Sequence, residues 1–155
     1  MNHNTYCVIM AGGIGNRFWP VSNRRCPKQF SDILHSGKSF IRQTYERISQ
    51  IFPDNHIFIV TGKEYEEITH KQIPEIPTEN ILKEPYVRNT ATCIAYAAYK
   101  IRGINPDAIM VTIPSDHFIS NDYAYLQDLQ EGMRFASDHG GLLTIGITPT
   151  RAETE

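Results

Sequence analysis

Four short apolar runs constrain this chain more than any other feature: Tyr6–Met10, His56–Thr61, Ala108–Ile113 and Gly141–Ile147. They are rich in Ile and Val and barely alternate, as strands covered on both faces do. Helical patterns separate them. Phe40, Ile41, Tyr45, Ile48 and Phe52 fall on one helical stripe. Leu126, Leu129, Met133 and Ala136 make another, with caps at Ser120 to Asp122 and a stop at Gly140–Gly141. "TATCIAYAAYKI" predicts a packed, alanine-rich helix, "KEYEEITHKQI" a more polar one, and Asn80–Leu82 a weak strand. Strands alternating with helices predict βαβ units and a mostly parallel sheet. Right-handed crossovers then gather four loops at one sheet edge: Ala11–Phe30, Gly62–Lys63, Glu84–Thr90 and Pro114–His117. Ligands of such sheets bind at that edge.

The length, 155 residues, is one domain's worth, with no repeat, linker or second domain in the pattern. A net charge of −2 sets up no global field for nucleic acid, so any anion site is local. The three cysteines, Cys7, Cys26 and Cys93, are widely spaced and form no CxxC, which argues against zinc or a disulfide framework. Free thiols point to a reducing compartment. The first residues lack the pattern of a signal peptide. No apolar run approaches the roughly 20 residues of a membrane span. The expectation is a soluble, cytoplasmic protein.

The first loop carries the strongest local signal. In "VIMAGGIGNRFWPVSNRRCPKQF", Gly12, Gly13 and Gly15 follow the first strand directly. Glycine permits close approach of a ligand to the backbone, and successive turned N–H groups make an anion-binding concavity. Arg17, Arg24, Arg25 and Lys28 add positive charge. The functional reading is a phosphate cradle; the plain one is a tight turn with solvated cations. Two familiar motifs are excluded. The dinucleotide fingerprint needs a third glycine where Phe18 stands, and "DILHSGKS" has Asp32 in place of the first P-loop glycine, with no strand leading into it. Ser36 to Ser39 is expected to be a turn and helix start.

These residues closely resemble the signature of sugar-1-phosphate nucleotidylyltransferases, G-G-x-G-x-R followed by P-K. Trp19-Pro20 and the Lys-Gln-Phe ending resemble the mannose-1-phosphate guanylyltransferase branch. "EPYVRNTA" at 84–91, "PSDH" at 114–117 and "GITPTRAET" at 146–154 resemble segments of the same branch, in order and spacing. Phe18 and Ala152 are mild departures, standing where leucine and proline are commoner. The resemblance implies an α/β fold, a Rossmann-like three-layer α/β/α sandwich of the nucleotide-diphospho-sugar transferase type. It also implies the reaction: GTP and mannose 1-phosphate giving GDP-mannose and pyrophosphate.

It implies roles as well. The backbone of Ala11, Gly12, Gly13 and Gly15 would hold the nucleotide. Arg17 would grip the triphosphate with its planar fork, and Lys28 would stand near the reacting α-phosphate; solvation at the surface is the alternative for both. Arg24 and Arg25 match less closely. Asp116, after Ser115 at the end of a strand, resembles the family's magnesium-binding aspartate; the alternative is a turn cap. His117 would orient Asp116, approach phosphate or merely pack. Glu84 can accept from the N1 and N2 hydrogens of guanine. Asn89 and Thr90 would contact nucleotide or cap the alanine-rich helix, and Arg88 would bind phosphate or be solvated. Trp19 is expected to pack the loop down, and Cys7 and Cys93 to be buried.

In the family the ET segment continues into more chain. The expectation is therefore the nucleotide-binding portion, residues 1–155, of a larger nucleotidyltransferase domain, able to bind GTP without completing transfer. An uncovered sheet edge would invite self-association into a homo-oligomer. Two other readings compete: a thymidylyl- or uridylyltransferase, against which "EPYVRNTA" argues, and a non-catalytic nucleotide-binding module, against which Arg17, Lys28 and Asp116 argue.

Overall fold

The computed structural model describes residues 4–13, 19, 22–24, 26–84, 86, 89–148 and 152. Four strands form its sheet: β1 (Thr5–Met10), β2 (Ile57–Gly62), β3 (Ile81–Glu84) and β4 (Ile109–Pro114). Their spatial order is β3-β2-β1-β4, and every pairing is parallel. The helices are α1 (Phe40–Ile48), α2 (Glu66–Gln72), α3 (Asn89–Ile104) and α4 (Asp122–His139). No helix among the described residues is long and apolar enough to cross a membrane.

Local chemistry sets the helix ends. The Ser39 side chain accepts from the Arg42 N–H and caps α1. Just before it, the Asp32 carboxylate accepts from the N–H groups of Ser36 (2.9 Å) and Gly37 (2.7 Å), so "DILHSGKS" closes into a turn rather than a phosphate loop. Asn121 caps α4 by accepting from the Ala124 N–H, and Gly140 at φ +69° ends it.

Side chains alternate between two apolar layers. Cys7, Ile9, Ile57, Ile59, Ile81 and Ile113 face α1, α4 and the Tyr65–Ile76 segment around α2. Tyr6, Val8, Phe58, Val60 and Leu82 face Cys93, Ala97 and Ile101 of α3. This is the expected three-layer sandwich, and handedness explains it. The chain steps β1→β2→β3 in one direction and returns β3→β4 in the other, so right-handed crossovers put α1 and α2 on one face and α3 on the opposite one. The direction reverses between β1 and β4, which makes their carboxyl ends the switch point where doubly wound sheets bind ligands. Arg47, nearly buried, ties the layer together: its Nε donates to Asp122 Oδ1 at 2.5 Å, joining α1 to the start of α4.

One expected strand does not form. Residues 141–148 carry no strand pairing, and Leu142, Leu143, Ile145 and Ile147 are exposed. A strand needs a partner as well as apolar residues. β4 stands at the sheet edge, but α4 lies on the face of α1 and α2. A parallel strand added there after α4 would close a left-handed crossover, the rare hand.

The α3 layer predicts a sharp contrast. Ile101, 1% exposed, is on the sheet-facing side of α3, whereas Tyr99 of the same helix is 78% exposed. Ile101→Ala should cost about 2–5 kcal/mol in urea unfolding. Tyr99→Ser should stay within about 0.5 kcal/mol of wild type.

Candidate functional site

The first strand leaves the sheet as Ala11-Gly12-Gly13. The Ala11 N–H donates to the Val60 carbonyl at 2.8 Å, prolonging the ladder by one residue. Its own carbonyl accepts two side-chain bonds, from Gln29 Nε2 (2.8 Å) and Thr61 Oγ1 (3.0 Å). Gln29 Nε2 also donates to the Gly13 carbonyl at 3.0 Å. Among the described residues nothing crowds a Cβ placed on Gly13, and its φ is not in the left-handed region. Neither internal packing nor backbone conformation therefore demands glycine there.

On the other side of the switch point, Ser115 follows β4. Its N–H donates to the Met10 carbonyl (3.1 Å), and its carbonyl accepts from Thr44 Oγ1 of α1 (3.3 Å). The next residue, Asp116, forms an ion pair with Lys28, both side chains partly exposed. Lys28 comes from the short 3₁₀ turn Lys28–Phe30. The carboxylate at the end of β4 and the cation of the long first loop thus meet beside the glycine backbone. His117 is exposed beyond them.

The third loop sits two strands away, roughly 10 Å across the sheet at the usual strand spacing. Glu84 ends β3 in register with Gly62 and is 6% exposed. Among the described residues no hydrogen bond or ion pair reaches its carboxylate, and burial pushes that carboxyl above the ordinary range. Burial and then the nearby Glu84 push the Cys93 thiol up to about 12, so it is an inert packing group. Asn89, at φ +36°, and Thr90 open α3 and are exposed; the Asn89 carbonyl accepts from Thr92 Oγ1.

Ala11, Gly12, Gly13, Lys28, Ser115 and Asp116 therefore come together, with Glu84, Asn89 and Thr90 farther along the same edge. Arg17, Gly15, Arg25 and Arg88 lie outside the described residues. Arg24 borders a surface depression with Glu64, Tyr65 and Lys71. Trp19 is 78% exposed and does not pack the loop down as expected. That anchoring falls to the buried Gln29 and to Phe30, whose ring meets Tyr65 at 5.8 Å. Sequence reasoning gave Gln29 no role of its own. Its signal was faint: a polar residue beside an aromatic one in a short segment without periodicity.

Fold and site define a class, the doubly wound α/β domain with its polar loops gathered at the switch point. The Nucleotidyl transferase family model matches residues 6–155, and the chain belongs to that family. It is 35% identical over 152 residues to mannose-1-phosphate guanylyltransferase RfbM of Salmonella typhimurium, covering 95% of this chain and 31% of that protein. It is also 35% identical over 149 residues to alginate biosynthesis protein AlgA of Pseudomonas putida, covering 95% and 30%. Among solved structures, a protein described as mannose-1-phosphate geranyltransferase from Thermus thermophilus superposes with a TM-score of 0.76 at 27% identity, over 87% of this chain and 39% of that one. The chain thus spans about a third of the length of these curated relatives.

Glu84 makes a testable pH signature. The folded chain holds its proton more tightly than the unfolded chain. The stability tied to it is therefore present below the ordinary carboxyl range and lost as pH rises through the raised value. Glu84→Gln should raise the melting temperature at pH 8, with no gain at pH 4. Calorimetric scans at the two pH values measure it.

Proposed function

We propose that this chain carries the nucleotide side of a sugar-1-phosphate nucleotidylyltransferase, with GTP and mannose 1-phosphate as the substrates of the whole reaction. The observation that carries this reading is the meeting of Lys28 and Asp116 beside the uncrowded backbone of Gly13. A cation, a carboxylate and open N–H groups at a switch point suit phosphate better than any apolar ligand. The relatives named mannose-1-phosphate guanylyltransferase favour the particular base and sugar.

In this reading an oxygen of mannose 1-phosphate attacks the α-phosphorus of GTP. The bond from the α-phosphorus to the bridging oxygen of the β-phosphate breaks, and pyrophosphate leaves in line. The protein's work is alignment and charge neutralisation. Ala11, Gly12 and Gly13 present backbone to the phosphates. Lys28 turns from Asp116 toward the α-phosphate, and Arg17 grips the triphosphate. Glu84 accepts from guanine, the binding energy offsetting the cost of its burial.

Asp116 fits a magnesium ion. Among the described residues no three ligating side chains cluster, and Asp116 is the carboxylate that stands beside Lys28. Magnesium is commonly bound by one or two carboxylates, with phosphate oxygens and water completing its shell. When bound, it supplies charge neutralisation on those oxygens. Because the relatives are about three times longer, the isolated chain is expected to bind GTP without forming GDP-mannose.

Calorimetry of the chain with magnesium and GTP, ATP, UTP or dTTP in parallel tests the reading. GTP should bind tightest; binding to none, or best to another base, overturns it. Gly13→Ala sharpens the test. It should leave the melting temperature unchanged or slightly raised, because alanine restricts the unfolded chain. It should weaken GTP binding by about tenfold, since its methyl occupies the space the phosphates need.

A further inference from the structure

We propose that Gln29 is a positioning residue that shapes the backbone offered to the phosphates; this rests on the nucleotide reading above. Gln29 is 1% exposed, an unusual setting for a primary amide. Burying an amide is costly unless its hydrogens find acceptors. Both acceptors of its Nε2 group are glycine-loop carbonyls, Ala11 at 2.8 Å and Gly13 at 3.0 Å, 18 and 16 residues earlier in the chain. Thr61 fills the second lone pair of the Ala11 carbonyl. In a trans peptide the N–H points opposite the C=O. Drawing the Ala11 carbonyl toward Gln29 therefore turns the Gly12 N–H away from it.

The same turn does a second thing. Lys28 and Gln29 are consecutive, and Lys28 pairs outward with Asp116 while Gln29 binds inward. The Phe30 carbonyl accepts from Gln72 Nε2 at 2.9 Å, anchoring the turn to the end of α2. One rigid turn thus sets the distance between the cation and the glycine backbone. Lysine alone supplies charge; Gln29 fixes where that charge stands relative to the N–H groups.

The test compares wild type with Gln29→Met, which keeps the volume and removes both donors. Ile101→Ala serves as a control that loses stability far from the loop. Heteronuclear NMR follows the Gly12 and Gly13 amides, and calorimetry gives GTP affinity with magnesium. Gln29→Met should displace both glycine amides and weaken GTP by at least about tenfold, the worth of two modest hydrogen bonds. Ile101→Ala should keep wild-type affinity. A folded Gln29→Met that binds GTP as wild type does, or an Ile101→Ala that loses affinity equally, overturns the proposal. Should Gln29→Met not fold, the wild-type Gln29 side-chain NH₂ signals decide: they should shift on GTP saturation, and unmoved signals overturn it. If wild type binds no nucleotide, the nucleotide reading falls. The glycine amides in Gln29→Met then decide the positioning claim alone: displaced, it stands; unmoved, it falls.

Discussion

Every feature of the site depends on the double pairing of β1. Cys7, Val8 and Ile9 have no exposed surface, being hydrogen-bonded between β2 and β4 and covered above and below. A strand so held can project its next residues without sagging, because its carboxyl end is fixed from four sides. Ala11 still belongs to the ladder through Val60, and Ser115 to it through Met10. The glycine backbone and the Asp116 carboxylate are thus placed by the same strand. Handedness makes this so: the chain must reverse direction somewhere to build β4, and the reversal falls beside β1.

Buried polar groups divide into two kinds. Gln29, Thr61 and Arg47 are paired with defined partners, so their burial specifies geometry at little cost. Glu84 is different. Among the described residues its carboxylate gains nothing for being buried. Real proteins tolerate such local conflict at functional sites and compensate elsewhere. Glu84 lies on the α3 face of the sheet, near the buried thiol of Cys93.

Periodicity revealed β1, β2, β4 and all four helices within a few residues, because burial on one stripe or on both faces leaves its mark in the chain itself. The glycines and Lys28 were visible as punctuation and charge. Three things were not visible. The bonds from Gln29 close a loop of 16 to 18 residues, and nothing in a local pattern announces such a contact. Trp19, expected to pack the loop down, is exposed, and the buried residues of that stretch are Gln29 and Phe30, a distinction set by tertiary packing. The segment 141–147 has strand composition, but whether a strand forms depends on an available edge of the right hand, which is a property of the fold.

On the proposed nucleotide reading, the Lys28–Asp116 pair also resolves an electrostatic difficulty. A phosphate site needs positive charge, and a metal site needs negative charge, a few ångströms apart. Left alone, each would repel the other's ligand or recruit the wrong ion. Pairing them lets each charge offset the other before a ligand arrives. The pair is partly exposed, so separating it costs little. A ligand that brings both charges at once, polyphosphate with its divalent cation, replaces one ion pair with two. On the proposed reading, preference for the metal–nucleotide complex over either component alone follows from the pairing.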